Sequence, residues 1–111
     1  MGKPLVVKFF ADYCEPCKTS LPAAERVHHA HPEVVFLGID EDERAETAAE
    51  VVRRFGLTFA VVHDQDNVLA GRFRVRSMPT TFVADAAGVI RWIGDERQTE
   101  EELTRAVDAA R

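Results

Sequence analysis

The continuous apolar run from Val34 to Ile39 constrains the fold of this chain more than any other feature. The run has the length of a strand and contains no polar residue that could face water. Strands of this kind are typical of parallel sheets that are covered by helices on both faces. The rest of the chain should therefore supply the helices that cover such a sheet.

Strand-like and helix-like segments alternate along the rest of the chain. Short runs rich in β-branched and aromatic residues predict strands, and segments with apolar residues at helical spacing predict helices. Besides the central run, we expect strands at about 4–10, 59–63, 80–84 and 89–93, and helices at about 15–30, 44–55, 67–73 and 99–110. The order β-α-β-α-β-α-β-β-α predicts an α/β fold, with a parallel sheet between helices and a closing antiparallel hairpin.

Several residues mark where the helices should begin and end. The acidic cluster from Asp40 to Glu43 suits the positive N-terminus of the second helix, and Gly56 should end that helix. Thr99 and Glu102 have the spacing of a capping box at the start of the last helix. Three histidines, His28, His29 and His31, are interpreted as a solvated C-terminus of the first helix.

The size and charge of the chain exclude several classes of function. Its 111 residues, with no linker or repeat, predict one domain covering residues 1–111. The net charge of -5 argues against nucleic acid as a partner, because such binding requires a basic face. No apolar run approaches the ~20 residues that span a bilayer, and nothing at the start resembles a signal peptide, so the chain as given is expected in the cytoplasm.

Cys14 and Cys17 are the only cysteines, and two at this spacing cannot close a stabilising loop. They fall where the first strand turns into the first helix, and a helix N-terminus favours a thiolate. Cys14, placed at the helix start, is the candidate nucleophile, and Cys17 could resolve a mixed disulfide formed on it. Lys18 should favour the thiolate and Glu15 should oppose it.

Other interpretations of the cysteine pair remain open from the residues alone. The pair could be half of a zinc site, since His28, His29 and His31 could supply nitrogen ligands. Those histidines, however, end the helix that the cysteines begin, roughly 15 Å away at the rise of an α-helix. A purely structural cysteine pair is the other alternative. We expect no metal at the cysteines.

Two motifs carry a resemblance to a known family. The segment Phe9–Lys18 (FFADYCEPCK) together with Met78–Phe82 (MPTTF) resembles the thioredoxin superfamily, and in particular its TlpA/ResA-like branch. The resemblance implies a thioredoxin fold, with a central mixed sheet flanked by helices. It also implies an inserted helix and strand between the second core strand and the short helix near Asn67.

The resemblance also implies roles for individual residues. Cys14 would be the attacking cysteine and Cys17 the resolving one, and the Met78–Pro79 bond would be cis and lie against the disulfide. The backbone of Met78 would pair with the substrate chain. Tyr13 replaces the tryptophan that family members commonly carry, and it would form the substrate-binding surface with Pro16, Met78 and Pro79. Pro16 also fixes the backbone within the first helical turn.

Two positions depart from the pattern of the family. Lys8 stands where thioredoxins have a buried aspartate, and its amine either points toward Cys17, where it would favour a thiolate, or extends to the surface. Ser20 stands where the ResA type has a glutamate, which weakens an assignment to cytochrome c maturation. Lys8, Glu15 and Lys18 are therefore candidates for tuning the thiols.

These observations together predict a thiol–disulfide oxidoreductase, acting as a reductase of protein disulfides, without a metal or organic cofactor. Its partners would be protein thiols or disulfides and a further redox protein, and we expect a monomer. Similar family members are usually periplasmic or extracytoplasmic, with an anchor or signal ahead of the position of Gly2 and Lys3. The rival hypothesis is a binding module of the same fold, or a metal-holding CxxC protein, without redox turnover.

Overall fold

The computed structural model of the protein describes residues 2–111. The strands and helices follow the alternation that the sequence predicts. The strands are β1 (Leu5–Phe10), β2 (Val35–Asp40), β3 (Ala60–His63), β4 (Thr80–Ala84) and β5 (Ile90–Gly94). The α-helices are α1 (Cys17–Ala30), α2 (Ala45–Phe55), α3 (Val68–Arg72) and α4 (Glu100–Ala110), with a 3-10 turn at Gln65–Asn67 before α3. No helix within residues 2–111 is long and apolar enough to cross a membrane.

The strands form one mixed sheet in the spatial order β3-β2-β1-β4-β5. β1 runs parallel to β2, and β2 runs parallel to β3. β4 is antiparallel both to β1 and to β5, so the closing hairpin completes the sheet on the far side of β1. The α/β prediction is confirmed, and the predicted central strand β2 lies between two parallel neighbours.

Helices cover the two faces of the sheet unequally. Apolar side chains of α1, α2 and α4 form the larger core cluster with β1, β2 and β4, including Leu21, Val51 and Val107. The other face has a smaller cluster around Phe9 and Phe82, against which only the short helix α3 packs. Right-handed crossovers explain the asymmetry: the chain steps from β1 to β2 to β3 in one direction, so α1 and α2 share a face.

A glycine in the central strand allows two aromatic rings to pack directly against the sheet. A Cβ at Gly38 would lie 2.8 Å from the ring of Phe10 and 3.0 Å from that of Phe59. Any side chain at this position would therefore displace one of the rings. The glycine allows aromatic side chains from β1 and from the loop before β3 to pack closely over β2.

Two of the predicted helix boundaries are confirmed, and one shifts. Gly56 caps α2 in the left-handed region at φ 61°, and Thr99 and Glu102 form the capping box of α4. The helix predicted to start near Glu15 begins at Cys17, with Pro16 as its N-cap. Residues 15–16 form a turn before the helix, so Cys14 lies just ahead of the helix and Cys17 is its first residue.

Candidate functional site

Cys14 and Cys17 are joined by a disulfide at the N-terminal end of α1. Their Cα atoms are 5.3 Å apart, and both side chains are buried. The backbone N–H of Cys17 donates to Cys14 Sγ at 3.2 Å, so the sulfur occupies the place of a helix-capping acceptor. After reduction the same amide would stabilise a thiolate on Cys14, in addition to the helix dipole.

The two charged residues within and after the motif pair with each other. Lys18 Nζ lies 3.3 Å from Glu15 Oε1, and both side chains are exposed. An exposed pair of this kind contributes only about 0–1 kcal/mol, and its opposite charges offset each other at the neighbouring sulfur. Pro16 is also exposed, so its ring is available to a docking protein.

Lys8 is buried at the centre of β1, with 2% of its surface exposed. Val6, Lys8 and Phe10 alternate onto one face of the strand, and Val6 and Phe10 belong to the cluster that contains Cys17. The interpretation in which Lys8 extends to the surface is therefore wrong. The side chain stays inside because its amine finds two acceptors, one on the buried Thr81 and one on the partly buried Gln98.

The amine of Lys8 has the partners of a neutral group. Its Nζ donates to Thr81 Oγ1 at 3.2 Å and to Gln98 Oε1 at 2.9 Å. A neutral amine has two N–H donors, which these two bonds satisfy, whereas an ammonium has three. Among residues 2–111 no carboxylate forms an ion pair with Lys8. Burial accordingly lowers the pKa of Lys8 to about 7.

The lowered pKa of Lys8 predicts how stability varies with pH in the oxidised protein. Above about pH 7 the unfolded chain, in which lysine titrates near 10.5, binds more protons than the folded chain. The free energy of unfolding should therefore rise with pH from 7.5 to 9.5, by up to about 1.4 kcal/mol per pH unit. Urea melts at fixed pH values measure this slope.

Lys8→Met is the matched variant for this measurement, because methionine keeps the unbranched stem of the side chain, without the amine that titrates. The slope between pH 7.5 and 9.5 should be lost in Lys8→Met. Asp40 and Glu41, whose raised pKa values act in the opposite direction, contribute equally to both proteins, so a parent slope no steeper than that of Lys8→Met would show that Lys8 keeps an ordinary pKa.

Gln98 connects the hydrogen-bonding groups around the Lys8 amine, and nothing in the sequence alone indicates this role. Its Oε1 accepts from Thr81 Oγ1 at 2.7 Å as well as from Lys8, and its Nε2 donates to the carbonyl oxygens of Gly94 (3.1 Å) and Asp95 (2.8 Å). The oxygen and the nitrogen of the Gln98 amide therefore both have hydrogen-bond partners. No motif indicates Gln98, because it lies in a turn and reaches Lys8 only through the antiparallel placement of β4 and β5.

The second motif lies beside the cysteines. The peptide bond between Met78 and Pro79 is cis, and Pro79 is buried at the start of β4. Met78 packs against the cluster that contains Cys14 and Cys17, and it lines a cleft together with Tyr13. Tyr13 is 70% exposed, so most of its ring is open to a partner. The fold thus brings Tyr13, Met78 and Pro79 to the same edge of the molecule as the cysteines.

The acidic residues at the end of β2 and directly after it lie close to this edge. Asp40, Glu41 and Asp42 are buried, and α2 begins only at Ala45 with Arg44 as its N-cap. The prediction that these carboxylates serve the N-terminus of the second helix is therefore wrong. Asp42 instead accepts the N–H of Asp12 with both oxygens, at 3.1 and 3.0 Å, and so supports the loop that leads to Tyr13.

Burial changes the protonation of two members of this acidic group. It raises the pKa of Asp40 to about 7, with a further contribution from the adjacent Asp42 carboxyl. It also raises the pKa of Glu41 to about 7, assisted by the nearby Asp64. The Asp64 carboxylate is itself stabilised by the N–H groups of Leu69 and Ala70, each at 3.0 Å. Negative charge is therefore concentrated next to the site, although two of its carboxyls titrate near neutral pH.

The histidines that end α1 differ from the solvated helix end that was predicted. His31 is buried, its Nδ1 donates to the carbonyl oxygen of Val27 at 2.9 Å, and its Nε2 lies 3.0 Å from Asp108 Oδ1. The prediction is wrong for His31 because α4 passes over that end of α1. Within residues 2–111 no group of three or more His, Cys, Asp or Glu side chains is placed to share a metal ion.

Solved structures with similar folds include other proteins of disulfide chemistry. The structure of MTB dsbF, in mixed oxidized and reduced forms, superposes with a TM-score of 0.93 at 29% identity and covers 100% of this chain and 83% of that one. A secreted Mycobacterium tuberculosis disulfide oxidoreductase, described as homologous to E. coli DsbE, gives a TM-score of 0.90 at 27% identity, covering 98% and 83%. The fold is therefore thioredoxin-like.

Curated relatives and a family model match the sequence. The thiol-disulfide oxidoreductase ResA of Geobacillus kaustophilus is 26% identical over 110 residues, or 97% of this chain and 63% of that protein. The thioredoxin-like protein YneN of Bacillus subtilis is 30% identical over 111 residues, or 96% and 65%. The chain thus spans a little under two thirds of the length of these relatives. The AhpC/TSA family model matches residues 1–93, and the chain belongs to the AhpC/TSA family.

Proposed function

We propose that this protein is a thiol–disulfide oxidoreductase that reduces disulfides of protein substrates through Cys14 and Cys17. The observation that carries the proposal is the cysteine disulfide at the start of α1, with its N–H···S contact, beside an exposed aromatic and the Met78–Pro79 loop. A structural disulfide would have little use here, since it closes a loop with a sequence separation of only three. Relatives named as thiol-disulfide oxidoreductases support the same conclusion.

The reaction follows from this placement. The thiolate of Cys14 attacks one sulfur of a substrate disulfide, which forms a mixed disulfide and releases one substrate thiolate. The thiolate of Cys17 then attacks Cys14 Sγ, which forms the Cys14–Cys17 disulfide and releases the second substrate thiolate. Two electrons pass from the dithiol to the substrate, and a separate redox partner must return the pair to the dithiol form.

The surrounding residues take supporting roles in the proposal. Tyr13, Pro16 and Met78 form the surface on which the substrate chain docks, and Pro79 fixes the position of the Met78 backbone. Lys8 tunes the thiols, because it lies on the face of β1 that packs against Cys17, and its amine would favour the thiolate of Cys17 whenever it is protonated. Glu15 and Lys18 have only a weak effect on the reactivity of the two thiols, because they pair with each other in solvent.

Reduction of insulin disulfides by the purified protein, with a small dithiol as electron source, tests the function. An oxidoreductase should accelerate precipitation of the insulin chains over the dithiol alone, whereas a binding module of the same fold should not. The direction of exchange is measured separately, from the equilibrium of Cys14 and Cys17 with glutathione. Dithiol enzymes of this kind span roughly -270 to -120 mV, and a reductase should lie at the negative end.

Tyr13→Ala should weaken reduction of a protein substrate without weakening the fold. An exposed aromatic at the centre of a docking surface typically contributes more than 1 kcal/mol, so kcat/KM on insulin should fall roughly tenfold. The urea midpoint should hardly change, since Tyr13 is mostly exposed. Val89→Ala, which truncates an exposed apolar side chain in the loop between β4 and β5, is the control and should retain activity. Equal losses in the two variants would contradict the role of Tyr13.

A further inference from the structure

The loop that precedes β4 extends past the strand that pairs with it. The ladder between β4 and β5 ends at Thr81 and Gly94, the last residue of β5, so Pro79 lies two residues beyond the ladder. Pro79 is nevertheless buried, and a buried carbonyl oxygen needs a donor. We refer to Ser77, Met78 and Pro79 as the docking loop, because Ser77 and Met78 line the cleft on which the substrate is proposed to dock.

The side chain of Gln98 supplies a donor to the docking loop. Its Nε2 donates to the carbonyl oxygens of Asp95 at 2.8 Å and of Gly94 at 3.1 Å, and at a longer 3.4 Å to that of Pro79. The first two acceptors belong to the turn between β5 and α4, in which Gln98 itself lies. The third belongs to the docking loop. One amide therefore joins this turn to the docking loop.

The orientation of this amide is fixed from its other end. Gln98 Oε1 accepts from Lys8 Nζ at 2.9 Å and from Thr81 Oγ1 at 2.7 Å. Turning the amide over would place its oxygen against the three carbonyl oxygens, none of which can donate. Lys8 and Thr81 lie opposite each other on β1 and β4 within the sheet. The amide of Gln98 is therefore anchored on paired strands rather than on another loop.

A second contact joins the same two segments near the surface. Ser77 Oγ donates to Glu96 Oε1 at 2.9 Å, and Thr80 Oγ1 donates to the carbonyl oxygen of Ser77 at 2.6 Å. The contact between Ser77 and Glu96 is exposed, so water competes for both groups and its net contribution is small. The bond from Gln98 to the docking loop is partly buried. Gln98 is therefore the main link between the turn and the docking loop.

We propose that Gln98 is a positioning residue for thiol–disulfide exchange, which holds the docking loop where a polypeptide substrate pairs with the Met78 backbone. This inference rests on the proposed function and adds a residue that acts through the docking loop rather than on the sulfurs. A loop that is held in place before the substrate arrives loses less freedom on binding, so binding costs less. Gln98 should therefore matter for substrates that have a polypeptide chain and not for small disulfides.

Two disulfide probes separate docking from the chemistry of the thiols. One is a short peptide whose single cysteine is joined to 2-nitro-5-thiobenzoate, and the other is 5,5′-dithiobis(2-nitrobenzoate), which has no polypeptide chain. With either probe the thiolate of Cys14 forms a mixed disulfide and the thionitrobenzoate anion leaves. The ratio of the two rate constants cancels any change in the reactivity of Cys14. In Gln98→Leu this ratio, peptide over small disulfide, should fall about three- to tenfold.

Gln98→Glu keeps the acceptor end of the side chain and removes the donor end. Its carboxylate can still accept from Lys8 and Thr81, which protects the fold, but it cannot donate to Pro79. The ratio should therefore fall as far as in Gln98→Leu, with a urea midpoint closer to that of the parent protein. Arg97→Gln, at an exposed position of the same turn, is the control and should retain the parent ratio. A parent ratio in either Gln98 variant would overturn the proposal.

The parent protein reports on the proposed function separately. A peptide probe that reacts faster with the parent protein than with Cys14→Ser supports oxidoreductase chemistry, whatever the ratio in the Gln98 variants. If the parent protein does not react, the proposed function fails, and the docking loop is followed through the NMR signal of the Met78 methyl group in the oxidised protein. That signal should shift or broaden in both Gln98 variants and stay in place in Arg97→Gln. An unchanged Met78 signal in the Gln98 variants would overturn the inference on its own.

Discussion

Replacing Cys14 by serine should reduce insulin reduction to the background rate of the small dithiol alone. The hydroxyl of serine is not ionised near neutral pH, so the variant lacks the thiolate that must attack the substrate disulfide. The fold should persist, because serine differs from cysteine by one atom at a site next to the first turn of α1. Activity relative to the parent protein, at equal protein concentration and with the unfolding curve as a fold control, measures the effect.

Cys17→Ser is the matched variant and should fail in a different manner. Its Cys14 can still attack a substrate, but the mixed disulfide is not resolved within the protein, so the variant should complete one attack and stop. Turnover comparable to the parent protein in Cys14→Ser would show that the attacking sulfur is Cys17 or that insulin is reduced elsewhere.

Phe36→Ala should have the largest effect on stability among the core positions of β2. Phe36 is 5% exposed, and its ring lies 5.2 Å from that of His28 and 6.0 Å from that of Phe59, between centroids. Removing a buried phenylalanine costs about 3–5 kcal/mol, through lost burial and the cavity that remains. Urea unfolding of the oxidised protein measures the change, which is a large share of the 5–15 kcal/mol typical of a domain.

Val35→Ala is the control for Phe36→Ala within the same strand. Val35 precedes Phe36, points to the opposite side and is 45% exposed, so its truncation should cost no more than about 1 kcal/mol. A cost below about 1 kcal/mol for Phe36→Ala would mean that the central strand does not hold the core together.

The architecture could be predicted because each element carries its own signal. The run ending at Ile39 indicates the central strand, Gly56 indicates a helix end, and the spacing of Thr99 and Glu102 indicates a helix start. These signals are local, and tertiary contacts do not override them. The start of α1 has a weaker local signal, because the turn at residues 15–16 leads directly into the helix through the N-cap Pro16.

The missed features depend on contacts between distant segments. Lys8 could not be placed from its sequence neighbours, because its acceptors Thr81 and Gln98 come from β4 and from the turn before α4. Asp42 resembles a helix-start residue in sequence, yet its carboxylate binds the backbone of Asp12, thirty positions earlier. Charged residues are normally assigned to the surface, and only the fold reveals which of them have buried partners.

The central claim is that Cys14 attacks a protein disulfide and Cys17 resolves it, and trapping the intermediate tests this claim most directly. Reduced Cys17→Ser is mixed with insulin, quenched in acid and digested, and the linked peptides are identified by mass spectrometry. We predict an insulin cysteine joined to Cys14. Reduced Cys14→Ser, treated identically, should give little adduct, because Cys17 is only 1% exposed, against 6% for Cys14. Adducts formed on Cys17 as readily as on Cys14, or none on either, would contradict the mechanism.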